Sequence, residues 1–235
     1  MNLLILSDAN SIHTQKWVCS LAKRGFNLRL FSLFKPNNLV YELYNNFGVK
    51  IDSSNLRQKI WNHRNPNLSK ILYISTLPKL RKIVKEFSPD LIHAHYASSY
   101  GVLSYFLRFK PTIVSVWGSD LYDFPNRNFL NKWLLMKVIK SADSICSTSN
   151  AMREIILSDF KREKCYLTPF GVDIDKFTPI EIDQKTFTVG TIKSIEQHNG
   201  IDVIIDAAKI LVYEKNLSDI QFLIVGKGSL LEKMK

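Results

Sequence analysis

The sequence predicts an α/β protein, with a parallel-sheet Rossmann-like domain followed by the opening of a second one. Three observations predict it. Near-continuous apolar runs alternate with helical patterns along most of the 235 residues, as expected of strands covered on both faces. The first run, "NLLILS", ends in the small polar cluster "DANSIHT" just before a helical pattern. After "FGVDIDKFTP" the alternation starts again. The expected boundaries are therefore a first domain over 1–170, a linker over 171–185 and an incomplete second domain over 186–235.

Each element follows from its local pattern. Strand 2–7 leads to a helix over about 14–24, stopped by Gly25, and then to strand 27–33. Residues 35–66 read as polar and loop-rich, with "GVKI" as one short strand. A helix over about 68–87 carries Pro78 inside it, where a break or kink is expected. Strand 90–95, helix 98–108, strand 111–117, a helix around 129–140, strand 143–148, a helix after Asn150 and strand 164–170 complete the first set. The second set is strand 186–192, a helix over 201–214, strand 220–226 and the closing "KGSLLEKMK". Two strands and two helices cannot enclose a core of their own. A cut chain, a truncated gene or a fragment resting on a partner is the expectation there.

Bulk properties narrow the class. With 46% hydrophobic and 23% charged residues the chain is ordinary globular material. Cys19, Cys146 and Cys165 are widely spaced without a CxxC pair, which disfavours a disulfide framework or zinc site and suits the reducing cytosol. "MNLLIL" lacks the basic start of a signal peptide, and no run reaches the roughly 18 apolar residues of a spanning helix. A soluble cytoplasmic protein is expected. Its charge is uneven: residues 57–110 hold ten Lys/Arg against two acids, a net of +8, while residues 171–235 hold eight against ten, a net of −2. Such a front half suits an anionic partner, whether nucleic acid, phospholipid or phosphorylated substrate. No nucleic-acid motif is present, which disfavours the first.

In a parallel sheet, ligands sit beyond the carboxyl ends of the strands. The turn "SDANSIHT" lies there and lacks the GxGxxG of dinucleotide-binding enzymes. Ser11 either caps the next helix or joins an anion site at its N-terminus. His13 is either a solvated helix-start residue or meets a substrate hydroxyl or phosphate. In "DLIHAHYASSYG", His93 and His95 share one side of an extended segment. They either join a metal site lacking an evident third ligand, or divide the work: His93 packs in the sheet while His95 emerges at the strand end. In "SVWGSDLYDFP", Asp120 either accepts from ligand hydroxyls or ties the turn, and Trp117 either stacks on a sugar ring or supports the loop. The basic helix near 68–87 pairs Ile71, Leu72, Leu80, Ile83, Val84 and Phe87 with Lys79, Arg81, Lys82 and Lys85. It either covers the sheet or lies on an anionic bilayer.

Six stretches, "SDANSIHTQKWVCSLAKRGFNLRLFS", "DLIHAHYASSYGVLSYF", "SVWGSDLYDFP", "LTPFGVDIDKFTP", "VGTIKSIEQHNGIDVIIDAAKIL" and "LIVGKGSLLEKMK", occur in an order that resembles glycosyltransferase family 4. The resemblance implies a retaining enzyme of the two-Rossmann-domain GT-B type, without metal or cofactor. A nucleotide-sugar is its co-substrate, and a glycan or lipid-linked precursor is its acceptor. His95, Asp120 and His13 are then the catalytic candidates, and Asn10, Ser11, Thr14 and Trp117 lie on the acceptor side. Gly171 and Asp173 of "PFGVD", Gly190 and Lys193 of "VGTIKS", and Gly226 and Gly228 of "VGKGS" fall on the donor side. Three departures stand out. Trp117 replaces a histidine usual in the family, so His95 or His13 supplies that contact or it is lost. Thr191 and the stretch around His198 and Asn199 replace the usual basic pair, leaving Lys193 as the local cation. The family's Glu-x7-Glu segment would lie beyond residue 235.

Overall fold

A computed structural model describes residues 1–56, 72–180 and 186–234. The chain divides into two compact units, Met1–Gly171 and Val172–Lys235.

The first unit is a seven-stranded parallel sheet in the order β3-β2-β1-β4-β5-β6-β7. The strands are β1 (Asn2–Leu6), β2 (Asn27–Phe34), β3 (Lys50–Leu56), β4 (Leu91–His95), β5 (Thr112–Val116), β6 (Ser144–Ser147) and β7 (Tyr166–Leu167). The helices are α1 (Ile12–Lys23), α2 (Asn38–Asn46), α3 (Leu77–Phe87), α4 (Val102–Leu107), α5 (Ser119–Tyr122), α6 (Phe129–Ser141) and α7 (Asn150–Ser158). Successive strand residues point to opposite faces, and both faces of β1 are covered. Leu4 and Leu6 join a large core with Phe31, Leu80, Leu103, Leu135 and Ile156. Leu3 and Ile5 join a smaller one with Val18, Leu30 and Tyr44. That double burial is why the strands read as unbroken apolar runs. Each such side chain contributes roughly 1.5–3 kcal/mol relative to exposure.

Three expectations change. The stretch 35–66 holds α2, capped where Asn37 Oδ1 accepts from Val40 N at 2.9 Å, and β3, which runs well beyond "GVKI". Pro78 lies in the first turn of α3, where its missing N–H is harmless, so it opens the helix instead of kinking it. The part of the expected helix up to Ile71 lies outside the described residues. The helix after β4 begins earlier than expected, with a π-helical turn over Tyr96–Gly101 leading into α4.

Leu80 and Ile83 of α3 are buried, and Val84 and Phe87 pack against the same core. Lys79 donates to the Ser53 carbonyl at 2.5 Å. The apolar stripe of this helix therefore faces the sheet, and only charge is left toward solvent.

The second unit pairs β8 (Phe187–Ile192) in parallel with β9 (Ile220–Val225), from Phe187 opposite Ile220 to Ile192 opposite Val225. Between them lie a 3-10 turn (Gln197–Asn199) and α8 (Ile201–Lys209), which runs on through a π turn (Ile210–Glu214); α9 (Leu231–Met234) follows β9. Ile192 is 85% exposed, and Leu223 and Val225 are also exposed.

Candidate functional site

The strand order reverses between β1 and β4, which are direct neighbours. Ligands in such sheets bind beyond the carboxyl ends at this switch point. Ser7, just after β1, and His95, the last residue of β4, meet there. Ser7 Oγ lies 3.2 Å from His95 Nδ1 and 2.7 Å from Thr14 Oγ1. All three residues are buried, and His95 and Thr14 are 0% exposed.

Counting protons assigns the direction of this chain, because a buried hydroxyl proton without an acceptor costs about 1–3 kcal/mol. If Thr14 donates to Ser7 and Ser7 donates to Nδ1, both hydroxyl protons are used. His95 then carries its own proton on Nε2. That atom is buried and has no hydrogen-bond partner, and His13 Nδ1 is in the same condition.

Aromatic rings surround these two orphaned nitrogens. His13 stacks on Phe170 with centroids 3.6 Å apart and meets Trp117 edge-on at 5.8 Å. Trp117 lies 4.8 Å from His95, and Trp17 lies 5.7 Å from it. The first unit thus brings His13, Thr14, His95 and Trp117 into one cluster. His93 is packed within the sheet, its Nε2 2.7 Å from Ser115 Oγ.

The histidines are held neutral. Burial pushes His93 down to about 4. Burial, with the neighbouring His93, takes His95 well below the ordinary imidazole value. Burial and then Lys16 lower His13 as well. At neutral pH His95 presents a neutral N–H donor, suited to an oxygen acceptor.

Asp120 does not stand where a ligand hydroxyl can meet it, which corrects the expectation of direct substrate contact. It is fully buried. Its Oδ1 accepts from the N–H groups of Trp117 at 3.0 Å and Gly118 at 2.8 Å, and its Oδ2 accepts from Ala97 N at 2.7 Å. Burial pushes this carboxyl up, and the three N–H donors oppose the rise. Asp120 therefore ties the β5 turn to the π turn after β4 and positions Trp117. Gly118, at φ 140 and ψ −94, adopts a backbone open essentially to glycine alone. Tyr96 has a φ of 69, and its hydroxyl bonds Ser119 Oγ.

The first turn is braced from within. Asn10 Nδ2 donates to the Lys35 carbonyl and Asn10 Oδ1 accepts from Asn37 N, which ties the turns after β1 and β2 together. Asp8 Oδ1 accepts from Asn10 N, and burial raises the Asp8 carboxyl. Ser11 occupies the N-cap position of α1 without a side-chain cap bond. Lys16 Nζ donates to the Gly171 carbonyl at 3.1 Å.

In the second unit, Lys193 follows β8 and is exposed, and Gly190 lies within the strand. The ladder continues past both strand ends, with Lys193 N donating to Val225 O and Ile195 N to Lys227 O. A Cβ on Gly226 would lie 1.9 Å from the Lys193 carbonyl oxygen, and one on Gly228 would lie 2.0 Å from that of Ile195. Close approach between two loops demands both glycines. Asp173 Oδ1 accepts from Asp175 N and Lys176 N and shapes a local turn.

Sequence reasoning passed over Ser7, Trp17 and Phe170. The signal for Trp17 was present, since it lies one helical turn after His13. Ser7 becomes meaningful only once Leu6 is known to pair with Ala94.

A parallel Rossmann-like sheet with a polar cluster at its switch point, followed by a second βαβ start, defines the first lobe of a GT-B-type fold. The family described as glycosyl transferase 4-like matches residues 2–149, more than half of the chain, and the chain belongs to that family. A relative in Escherichia coli, UDP-Gal:alpha-D-GlcNAc-diphosphoundecaprenol alpha-1,3-galactosyltransferase, is 23% identical over 188 residues. That match covers 72% of this chain and 48% of the relative, so the chain spans about half of its length. Among solved structures, sucrose-phosphate synthase from Thermosynechococcus elongatus superposes with a TM-score of 0.68 at 14% identity, covering 96% of this chain and 62% of that one. HepE from Anabaena in complex with UDP-glucose gives 0.59 at 13%, covering 96% and 69%. The S. aureus MnaA-UDP structure gives 0.58 at 15%, covering 99% and 64%. The likeness of these three is one of fold.

Proposed function

We propose that the chain is the acceptor-side lobe and first donor-side part of an enzyme that moves a sugar from a nucleotide-sugar donor, with retention, onto a cell-surface polysaccharide or glycolipid precursor. One observation carries this reading: His95 holds a buried, unpartnered Nε2 at the sheet's switch point. A neutral N–H there suits a sugar hydroxyl or a phosphate oxygen. Membership of the glycosyl transferase 4-like family supports the reaction class. The E. coli relative's UDP-Gal donor and diphosphoundecaprenol-linked acceptor support a UDP-sugar and a lipid-diphosphate acceptor.

The chemistry favours these residue types. Glycosyl transfer builds positive charge on the sugar and negative charge on the departing diphosphate, so the reaction relies on positioning and on fixed donors or cations at the leaving group. Lys193 is the cation assigned to the diphosphate, with Gly190, Gly226 and Gly228 letting backbone come near it, and Gly171 and Asp173 are also assigned to donor binding. Within the first unit, His95 and His13 are assigned to bonding a sugar hydroxyl or phosphate oxygen, and Asn10, Ser11, Thr14 and Trp117 to the acceptor. No metal step is needed in this scheme.

The test is transfer of labelled sugar from UDP-galactose or UDP-glucose to a lipid-diphosphate sugar. His95→Ala and Lys193→Ala should each lower the rate about 100-fold with an unchanged circular dichroism spectrum. Full turnover in both variants would overturn the assignment.

A second reading is a module that binds the acceptor or a partner without turnover. The exposed apolar residues of β8 and β9 favour it, since they await a covering surface. Saturable binding of the lipid-diphosphate acceptor with no transfer from any UDP-sugar would select it.

A further inference from the structure

Among the described residues of the first unit, a group of exposed apolar side chains lies on α6 and the turn before it. Phe129 is 78% exposed, Leu130 70% and Trp133 48%, and Tyr122 just upstream is exposed as well. Isolated exposed apolar residues are ordinary, but a contiguous group with a polar rim marks an interaction surface. This group is not a frayed end. Asn128 Oδ1 caps the helix by accepting from Asn131 N at 2.9 Å, and Leu121, Phe124, Leu135, Val138 and Ile139 hold the segment in the core.

The charge along this segment is predominantly positive. From residue 121 to residue 140, Arg127, Lys132, Lys137 and Lys140 stand against a single acid, Asp123. At 100° per residue, Phe129, Trp133, Lys137 and Lys140 fall along one exposed stripe of the helix. Its first two turns are aromatic and apolar, and its last two are cationic. Lys137 Nζ lies 5.5 Å from the centroid of the Trp133 ring. Aromatic residues beside lysines are what a membrane interface accepts, the rings at headgroup depth and the ammonium groups against anionic lipid.

We propose that this face of α6 docks the protein on an anionic phospholipid surface. Electrostatic complementarity selects the occupant, since a neutral protein groove would leave Lys137 and Lys140 of this stripe unmatched. The proposal also separates α6 from α3, the basic helix that the sequence singled out. Lys79, Arg81, Lys82 and Lys85 are exposed on α3, but its apolar residues are turned into the core. α6 carries both components on one exposed face, and it follows the turn that holds Trp117. The docking test itself needs no turnover and stands whether or not sugar transfer does.

The experiment is co-sedimentation of the 235-residue chain with vesicles of phosphatidylcholine alone and of phosphatidylcholine mixed with phosphatidylglycerol. Wild type should partition onto the mixed vesicles and release at high salt. The exposed-residue variant Phe129→Ser/Leu130→Ser/Trp133→Ser should lose about tenfold or more of that partition. Lys137→Glu/Lys140→Glu should weaken it by a smaller factor. Charge reversal of the four α3 residues should leave most of it intact. Quenching by brominated lipid, compared between wild type and Trp133→Phe, should place Trp133 at headgroup depth. The proposal is overturned if wild type ignores the mixed vesicles, binds pure phosphatidylcholine equally well, or binds undiminished as the triple variant. A wild-type dimer that becomes monomeric in the triple variant, with equal vesicle partition, would assign the face to a second copy instead and overturn it too.

Discussion

The two units are built from the same strand–helix–strand grammar, yet they treat their apolar residues oppositely. In the first, β1 has a hydrogen-bonded neighbour on either side and a separate core on each face. In the second, β8 and β9 pair in full register, and Ile192, Leu223 and Val225 remain exposed. Backbone pairing alone therefore sets a strand's register, while burial of both faces requires further layers. Stability and the preorganised histidine cluster belong to the first unit.

The largest contrast should come from truncating apolar side chains. Phe31→Ala should cost about 3–5 kcal/mol in chemical denaturation, because Phe31 is wholly buried. Ile192→Ala in β8 should cost less than about 0.5 kcal/mol. Equal losses would break the contrast.

Next come two carboxylates that each accept loop N–H bonds beyond a strand end. Asp120→Ala strands three N–H donors, that of Ala97 buried and those of Trp117 and Gly118 half-buried, and should cost about 3 kcal/mol. Glu196, which accepts from Ser229 N and Oγ on the surface, should tolerate Ala without a measurable change in the denaturation midpoint. A silent Asp120→Ala would remove its proposed tying role.

Acid should act chiefly on the first unit. The unfolded chain takes up a proton on His93 as pH falls below the ordinary value of 6.5, while the folded chain resists until about 4. Stability from this neutral histidine is therefore complete above about pH 6.5 and declines on acidification, by roughly 3 kcal/mol near pH 4. His95, also depressed, adds to the loss in the same direction. His93→Gln should flatten the curve of denaturation midpoint against pH; an unchanged slope would show that the buried imidazole is not its source.

Smallest in global effect are the glycines. Gly118→Ala, at φ 140, should cost about 2 kcal/mol and displace Trp117. Gly226→Ala should separate the loops after β8 and β9, visible as amide shifts confined to Lys193 through Ile195, with little change in the main unfolding transition.

Much of the architecture was legible because a parallel sheet imposes continuous apolar runs. Leu3 through Leu6 announced a strand buried on both faces. The stretch around α2 was not legible, since only Val40 and Tyr44 of that helix are buried and its asparagines suggest a loop. At the site, His13, His95 and Trp117 were visible as polar or aromatic residues at strand ends. Asp120 was legible as important but not in its role, because burial and three backbone donors depend on how two distant turns meet. Ser7 carried no signal of its own. Its place emerges only when β1 lies beside β4.

The ring nitrogens of His95, read by ¹⁵N NMR in the intact chain, test the switch-point cluster most directly. Through the ordinary imidazole titration range the ring should stay neutral with its proton on Nε2, and Ser7→Ala should disturb that preference by removing the donor to Nδ1. A His95 that carries its proton on Nδ1, or that titrates near the ordinary imidazole value, would contradict the cluster's assignment as a buried, neutral hydrogen-bond donor.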